Sequence, residues 1–147
     1  MMDKKMAEEL LVAWVNLSCI VKNTRITKGL MYNEAIVMLL IYRRYCEDGV
    51  GLISIKEITQ KTRMLKSLVN RTINSLEEKQ LLERVEGTGD RRMAYVKCIE
   101  SKLETFLQVH NTSLEVAQSI IDIIGEEDAA IFIRIVEKIE DAGYSLK

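Results

Sequence analysis

Apolar residues recur at intervals of three and four along most of the chain, which is the spacing of amphipathic helices. Near the start, Leu10, Trp14 and Leu17 show this spacing, and a longer stripe follows Leu103. The pattern predicts six helices: one over about 3–23, one from about Asn33 to a break at 48–51, one from Ser54 to about Thr62, one from Leu65 or Lys66, one over about 103–124 and a last one after Gly125. It also predicts an edge strand at 51–53 and two further strands at 82–86 and 92–98.

The helices after Ser54 and after Leu65 form a predicted helix-turn-helix pair. Ser54 and Glu57 match a capping box, in which the serine accepts from the Glu57 N–H and the glutamate reaches back. A helix placed after a capped helix and a tight turn is the usual reader of the DNA major groove. We expect this helix to have an inner side of Leu65, Val69, Thr72, Ile73 and Leu76 and an outer side of Lys66, Ser67, Asn70, Arg71 and Asn74.

The closing segment carries more apolar helix surface than so small a chain is expected to cover. Its first helix should be about 35 Å long at ~1.5 Å per residue. An intramolecular bundle is one interpretation. We favour a homodimer built from the first helix and the last two, because DNA readers of this kind pair to match two half-sites. The predicted dimerisation residues are Leu10, Trp14, Leu107, His110, Leu114, Ile121, Phe132, Ile135 and Ile139.

Charge is unevenly distributed, although the formal net charge is only −1. Residues 1–55 carry seven basic and six acidic side chains, residues 56–97 carry ten and six, and residues 98–147 carry four and ten. A basic middle suits a polyanion such as DNA, and an acidic tail should point away from it.

The composition indicates a folded, mainly α chain. Of 147 residues, 48% are hydrophobic and 29% charged, and proline, which breaks helices, is absent. No run approaches the ~18–20 apolar residues of a membrane span, and Glu8 and Glu9 interrupt any signal-peptide core. We therefore expect a cytoplasmic protein without membrane contact.

Three cysteines and one histidine offer little metal or catalytic chemistry. Cys19, Cys46 and Cys98 are far apart and form no C-x-x-C pair, whereas structural zinc needs four ligands, usually in close-set pairs. We expect no metal and no cofactor. Cys19 and Cys98 are interpreted as packing residues, and His110 as a seam residue. Cys46, with two arginines nearby, is the best candidate for an oxidant-sensing thiol.

Three segments resemble the MarR family of bacterial winged-helix regulators. Residues 66–71 resemble the opening of its recognition helix, residues 76–84 resemble the helix end that leads into the first wing strand, and residues 90–92 resemble its wing signature. Leu65 and Gln80 depart from the family, which usually has a small capping residue and a glycine there. The resemblance implies an N-terminal dimerisation helix and connector over 1–30, a winged helix-turn-helix domain over 31–99 and C-terminal dimerisation helices over 100–147.

The resemblance also implies how DNA is held. In the family the wing aspartate steadies the hairpin, while an arginine reaches the minor groove, whose negative potential favours it. Lys56, Lys61 and Arg63 are candidates for phosphate contacts, and Leu68 for a thymine methyl contact. Arg84 and Lys97 are interpreted as ordinary strand-surface charges. The predicted DNA-binding residues are Arg63, Lys66, Ser67, Leu68, Asn70, Arg71, Asn74, Thr88, Asp90, Arg91 and Arg92.

These features predict a sequence-specific transcription regulator and favour a repressor. It would bind double-stranded DNA as a homodimer on an inverted repeat and respond to a small-molecule effector or an oxidant. Trp14, Tyr42 and Tyr45 could line an effector cleft, although simple core packing is the stronger interpretation. A winged-helix protein–protein adaptor and a thiol-based redox sensor or peroxide-reducing protein are the alternatives. No glycine-rich phosphate loop or histidine-based dyad indicates an enzyme.

Overall fold

Helices and short strands alternate through residues 3–23, 29–86 and 93–143, which are the residues described in this computed structural model. Two compact units divide the chain, Met1–Thr112 and Ser113–Lys147, and the boundary lies within the fifth helix. The helices are α1 (Lys4–Asn23), α2 (Tyr32–Asp48), α3 (Ile55–Thr62), α4 (Lys66–Glu78), α5 (Leu103–Ile124) and α6 (Glu126–Asp141); the strands are β1 (Ile53–Ser54), β2 (Leu82–Glu86) and β3 (Ala94–Cys98); a 3₁₀ turn covers Glu100–Lys102.

The three strands form one antiparallel sheet in the order β1-β3-β2. Strands β2 and β3 are the two arms of the predicted hairpin, with Leu82 opposite Cys98 and Glu86 opposite Ala94. Ile53 pairs with Val96, so the predicted edge strand is confirmed. The fold is mainly α with a small sheet, as the sequence indicates.

The core of the first unit lies between α2, α4 and the sheet. Val37 and Ile41 of α2, Ile73 of α4 and Phe106 of α5 are among its fully buried side chains. The sequence of α2 is apolar on nearly every side, which predicts a helix buried all round. In the structure Leu39 is 46% exposed, so one side of α2 is accessible. The core therefore covers one side of α2 and leaves the other accessible.

Two predicted helix starts differ from the structure in detail. Helix α2 begins at Tyr32 with Met31 as its N-cap, so Asn33, where the sequence pattern starts this helix, lies within its first turn. Ser54 caps α3 by accepting from the Glu57 N–H at 3.0 Å, as predicted. The Glu57 side chain, however, accepts a hydrogen bond from Arg44 of α2 instead of completing the capping box. This ion pair ties α2 to the first turn of α3.

The second unit contains the end of α5 and helix α6, which are separated by Gly125 with φ +89°. Three acidic residues occupy the first turn of α6, where the helix dipole favours negative charge. Many of its apolar side chains stay accessible: Leu114 is 53% exposed, Phe132 51%, Ile135 48% and Ile139 47%. Within the described residues, these predicted dimerisation side chains therefore stay about half exposed to solvent.

Candidate nucleic-acid interface

Helix α4 has one buried side and one accessible side. Val69, Ile73 and Leu76 are completely buried, and Thr72 is buried with them. The predicted outer residues lie together on the other side: Lys66, Ser67, Arg71 and Asn74 are exposed, and Asn70 and Leu68 are half-buried. The accessible side therefore offers cationic and amide groups on a helix fixed by its apolar side, which is the geometry of a groove-reading helix.

Leu65 does not belong to the buried side of α4, in contrast to the expectation from its spacing. It is the N-cap residue, its backbone is extended, and its side chain makes no capping hydrogen bond. The residue is 76% exposed. Because the helix starts only after Leu65, helical spacing does not decide where this side chain lies.

A cleft of about 410 Å³ lies beside the accessible side of α4. It carries the positive charges of Lys56 from α3, Lys66 from α4 and Arg84 from β2, and no acidic side chain lines it among the described residues. Such a cleft can accept a phosphate group. The residues that line it are Ser54, Ile55, Lys56, Thr59, Gln60, Lys66, Asn70, Arg84, Met93 and Ala94.

The predicted wing tip falls outside the described part of the chain. Strands β2 and β3 lead towards it from Glu86 and return from Ala94, in register with each other. The predicted DNA-binding residues Thr88, Asp90, Arg91 and Arg92 lie in that segment and stay predictions. Arg63 is described: it ends α3 in the left-handed conformation, with φ 59°, and is exposed.

The fold matches that of known proteins. Residues 34–93 match the model of the MarR family. The chain is similar in structure to AbsC, a MarR family transcriptional regulator from Streptomyces coelicolor, with 18% identity, 97% of each chain covered and a TM-score of 0.74. Residues 34–93 therefore carry the sequence pattern of the MarR family, on a winged-helix fold. No curated protein matches the sequence.

Two further solved structures share the fold of this protein. Sco3205, a MarR family transcriptional regulator from Streptomyces coelicolor solved in complex with DNA, is 11% identical, with 97% of this chain and 90% of that chain covered and a TM-score of 0.76. BpsR from Bordetella bronchiseptica, whose DNA binding is regulated by 6-hydroxynicotinic acid, is 15% identical, with 93% and 99% covered and a TM-score of 0.68. The family match over residues 34–93 and the shared fold are those of a winged helix, the module that MarR family transcriptional regulators such as Sco3205 carry.

In this winged-helix protein, Arg84 connects strand β2 to α4. Its Nε donates to Oε1 of Glu77 at 2.8 Å, and its Nη2 donates to Oδ1 of Asn74 at 2.6 Å. Arg84 is a strand-surface charge, as the sequence indicates, and its two partners lie on α4. Asn74, predicted to contact DNA, has its amide oxygen engaged by a strand of its own chain. This pair fixes the polar side of α4 against β2.

A buried carboxylate holds the other end of α4. The Glu34 side chain is 4% exposed and accepts from Lys79 Nζ, Ser75 Oγ and the Met31 N–H, each at 2.8 Å. Burial alone would raise the pKa of Glu34, but these hydrogen bonds outweigh it and hold the pKa below its usual value. Lys79 also donates to the Gly29 carbonyl oxygen at 3.1 Å. Sequence reasoning missed this cluster, because its members lie up to 50 residues apart.

The single histidine contacts its own chain. The ring of His110 on α5 stacks on Tyr42 of α2 with centroids 3.5 Å apart and an interplanar angle of 12°. Burial lowers the pKa of His110. The pKa of Tyr42 is raised, mainly through hydrogen bonding with the Cys46 thiol. The predicted seam residue His110, like Leu107, which packs against the core, therefore joins α5 to the winged helix.

The cysteines divide by exposure. Cys98 is buried in the core, as predicted, and burial raises its pKa, which disfavours the reactive thiolate. Cys19 is exposed, so its interpretation as a packing residue is wrong. Cys46 is exposed as well, which a sensing thiol requires.

Within the described ranges, no group of histidine, cysteine, aspartate or glutamate side chains is arranged to hold a metal ion. The helices of those ranges are also too short or too polar to cross a membrane.

Proposed function

We propose that this protein is a repressor that binds an inverted-repeat operator as a homodimer, with half-sites about one helical turn apart. The observation that carries the proposal is the accessible side of α4. Its Lys66 and Arg71 are exposed on a helix whose opposite side is completely buried. A rigid helix with these groups outward can present them to base edges and phosphates together.

The cleft beside α4 supports a phosphate contact next to the groove-reading side. Lys56 and Lys66 both line it, and salt-sensitive affinity is expected where such cations neutralise phosphates. Fluorescence anisotropy against genomic duplexes, including the DNA upstream of its own gene, tests the proposal. Arg71→Ala should reduce affinity about tenfold, and Lys66→Ala should also lower the salt slope by about one.

Lys102→Ala is the matched control for these variants. Lys102 is an exposed cation in the 3₁₀ turn after Cys98, at the end of β3 away from the wing tip. Its loss should leave affinity unchanged. If no genomic duplex gives salt-sensitive, sequence-preferring binding, the proposed function is wrong and a protein–protein adaptor becomes the better interpretation.

Exposed apolar surface supports the homodimer. In the first unit, Leu10 of α1 is 69% exposed and Trp14 is 54% exposed. In the second unit, Phe132, Ile135 and Ile139 of α6 are each about half exposed. Exposed large apolar residues that recur along one helix are typical of a protein interface. A two-fold dimer would match the symmetry of an inverted repeat.

We further propose that a small molecule or an oxidant shifts the spacing of the two α4 helices in the dimer. The stacked pair of Tyr42 and His110 supports this, because it lies where α5 meets α2, and the exposed Cys46 follows Tyr42 by one turn of α2. A ligand or an oxidised thiol there would alter how α5 packs on the winged helix. The test is whether peroxide changes operator affinity in the wild type and not in Cys46→Ser.

A further inference from the structure

The start of α4 exposes an apolar side chain where helices usually carry a polar cap. Serine, threonine, aspartate or asparagine at an N-cap stabilises a helix by accepting a first-turn N–H. Ser54 does this for α3, whereas Leu65 makes no such bond for α4. Leu65 is 76% exposed as well. The position therefore lacks a cap and leaves apolar surface in water.

Polar and cationic residues surround this leucine along the chain. Arg63 precedes it, Lys66 and Ser67 follow it, and all three are exposed. A single exposed leucine is ordinary on a protein surface. Leu65, however, directly precedes Lys66 and Ser67, which are exposed on the side of α4 proposed to meet DNA. A ligand that matches Leu65 and its cationic neighbours must combine negative charge with an apolar group.

Thymine supplies that apolar group, because its 5-methyl is the hydrocarbon substituent that base pairs present in the major groove. We propose that Leu65 contacts the 5-methyl group of one thymine in each half-site. This inference rests on the proposed function. Leu68, to which the sequence assigned a thymine contact, is half-buried and offers less apolar surface than Leu65.

Replacing thymine with deoxyuridine tests the contact, since the change removes one methyl group and keeps base pairing. The probe is the tightest duplex that the purified protein selects from a random pool, with each thymine replaced in turn. The wild type should lose about fourfold in affinity at one thymine per half-site, the value of burying one methyl-sized group. Leu65→Ser should bind the two duplexes equally at that position.

Three further variants separate the contact from effects on folding. Leu65→Met keeps an apolar side chain and should keep the discrimination. Met31→Ser removes a 74% exposed apolar residue from the N-cap of α2 and should also keep it. Leu68→Ala should keep at least part of it. Leu65→Ser should melt at a higher temperature than the wild type, because serine supplies the missing cap.

The outcomes distinguish the two proposals. If the wild type and Leu65→Ser discriminate equally at every thymine while binding stays salt-sensitive, the leucine contact is wrong and DNA binding stands. If Leu68→Ala alone abolishes discrimination, the contact belongs to Leu68 and the inference is overturned. If no duplex in the pool is bound, the proposed function fails and this inference fails with it.

Discussion

Helices α4 and α6 are both amphipathic, yet their apolar sides are covered differently. In α4, Val69, Ile73 and Leu76 are completely buried, whereas in α6 Phe132 and Ile135 are 51% and 48% exposed. Helical spacing therefore tells which side of a helix is apolar and does not tell what covers it. The chain itself covers α4. For α6, the proposed cover is a second copy of the chain.

The polar sides of these two helices differ in charge. Helix α4 has no acidic residue in its first turn and exposes Lys66 and Arg71. Helix α6 has three acidic residues in its first turn, Glu126, Glu127 and Asp128. Phosphates are attracted to the first surface and repelled by the second. Charge thus favours α4 as the proposed DNA-binding surface, and apolar exposure favours α6 as the proposed dimer surface.

The largest expected effect distinguishes apolar residues buried within one chain from those proposed to be buried in the dimer. Ile73→Ala should lower the free energy of unfolding by about 2–5 kcal/mol, because it leaves a cavity in the core. That loss should be the same at every protein concentration. The loss from Ile135→Ala should grow with concentration, because the side chain is covered only in the dimer. Urea denaturation at a low and a high concentration measures both. Concentration-independent losses in both variants would contradict the proposed cover of α6.

A charge on the apolar side of α6 should break the dimer. Phe132→Asp is expected to give a monomer in sedimentation velocity. Operator affinity should fall about a hundredfold, because each half-site is then bound without the other. Lys138→Gln, a polar change on the same helix, should leave the mass and the affinity unchanged. A Phe132→Asp protein that stays dimeric would place the interface elsewhere.

Local patterns were sufficient to predict much of the winged helix. The Ser54 cap, the two sides of α4 and the β2–β3 hairpin depend on residues a few positions apart, and all three are confirmed. Leu65 shows where spacing stops being informative. Its distance of four from Val69 fits a helix, but its own backbone is extended, so the side chain leaves the apolar side.

Polar pairs between distant elements could not be predicted in this way. Glu34 meets Lys79 across 45 residues, and Arg84 meets Asn74 across 10. Such pairs depend on how helices and strands pack, which periodicity does not determine. Arg84 could be recognised as strand-borne but not as a brace. The contact of His110 with Tyr42 was missed for the same reason.

Glu34 should make the stability of the fold around α4 depend on pH. Its folded pKa lies below the ordinary value of 4.5, so it contributes stability above that value and loses it as pH falls through the folded pKa. Urea denaturation between about pH 7 and about pH 3 should show a steeper acid loss in the wild type than in Glu34→Gln. At neutral pH the variant should lose about 1–3 kcal/mol, because it weakens a charged hydrogen-bond network. Parallel pH curves would rule out this contribution.

The smallest expected effect concerns how α4 keeps its polar side in place. Arg84 and Glu77 are about one-third exposed, so Arg84→Ala should lower the free energy of unfolding by only about 0.5–1 kcal/mol. A double-mutant cycle with Asn74→Ala should give a coupling of about 0.5 kcal/mol, because each change removes the same hydrogen bond. Lys97→Ala, which removes a looser pair with Glu83 at 3.9 Å, should show no coupling to Asn74. Additive losses would instead leave Asn74 free to contact DNA as the sequence predicted. Coupled losses mean that Asn74 positions strand β2, and that the residues nearer the start of α4 are left to contact the bases.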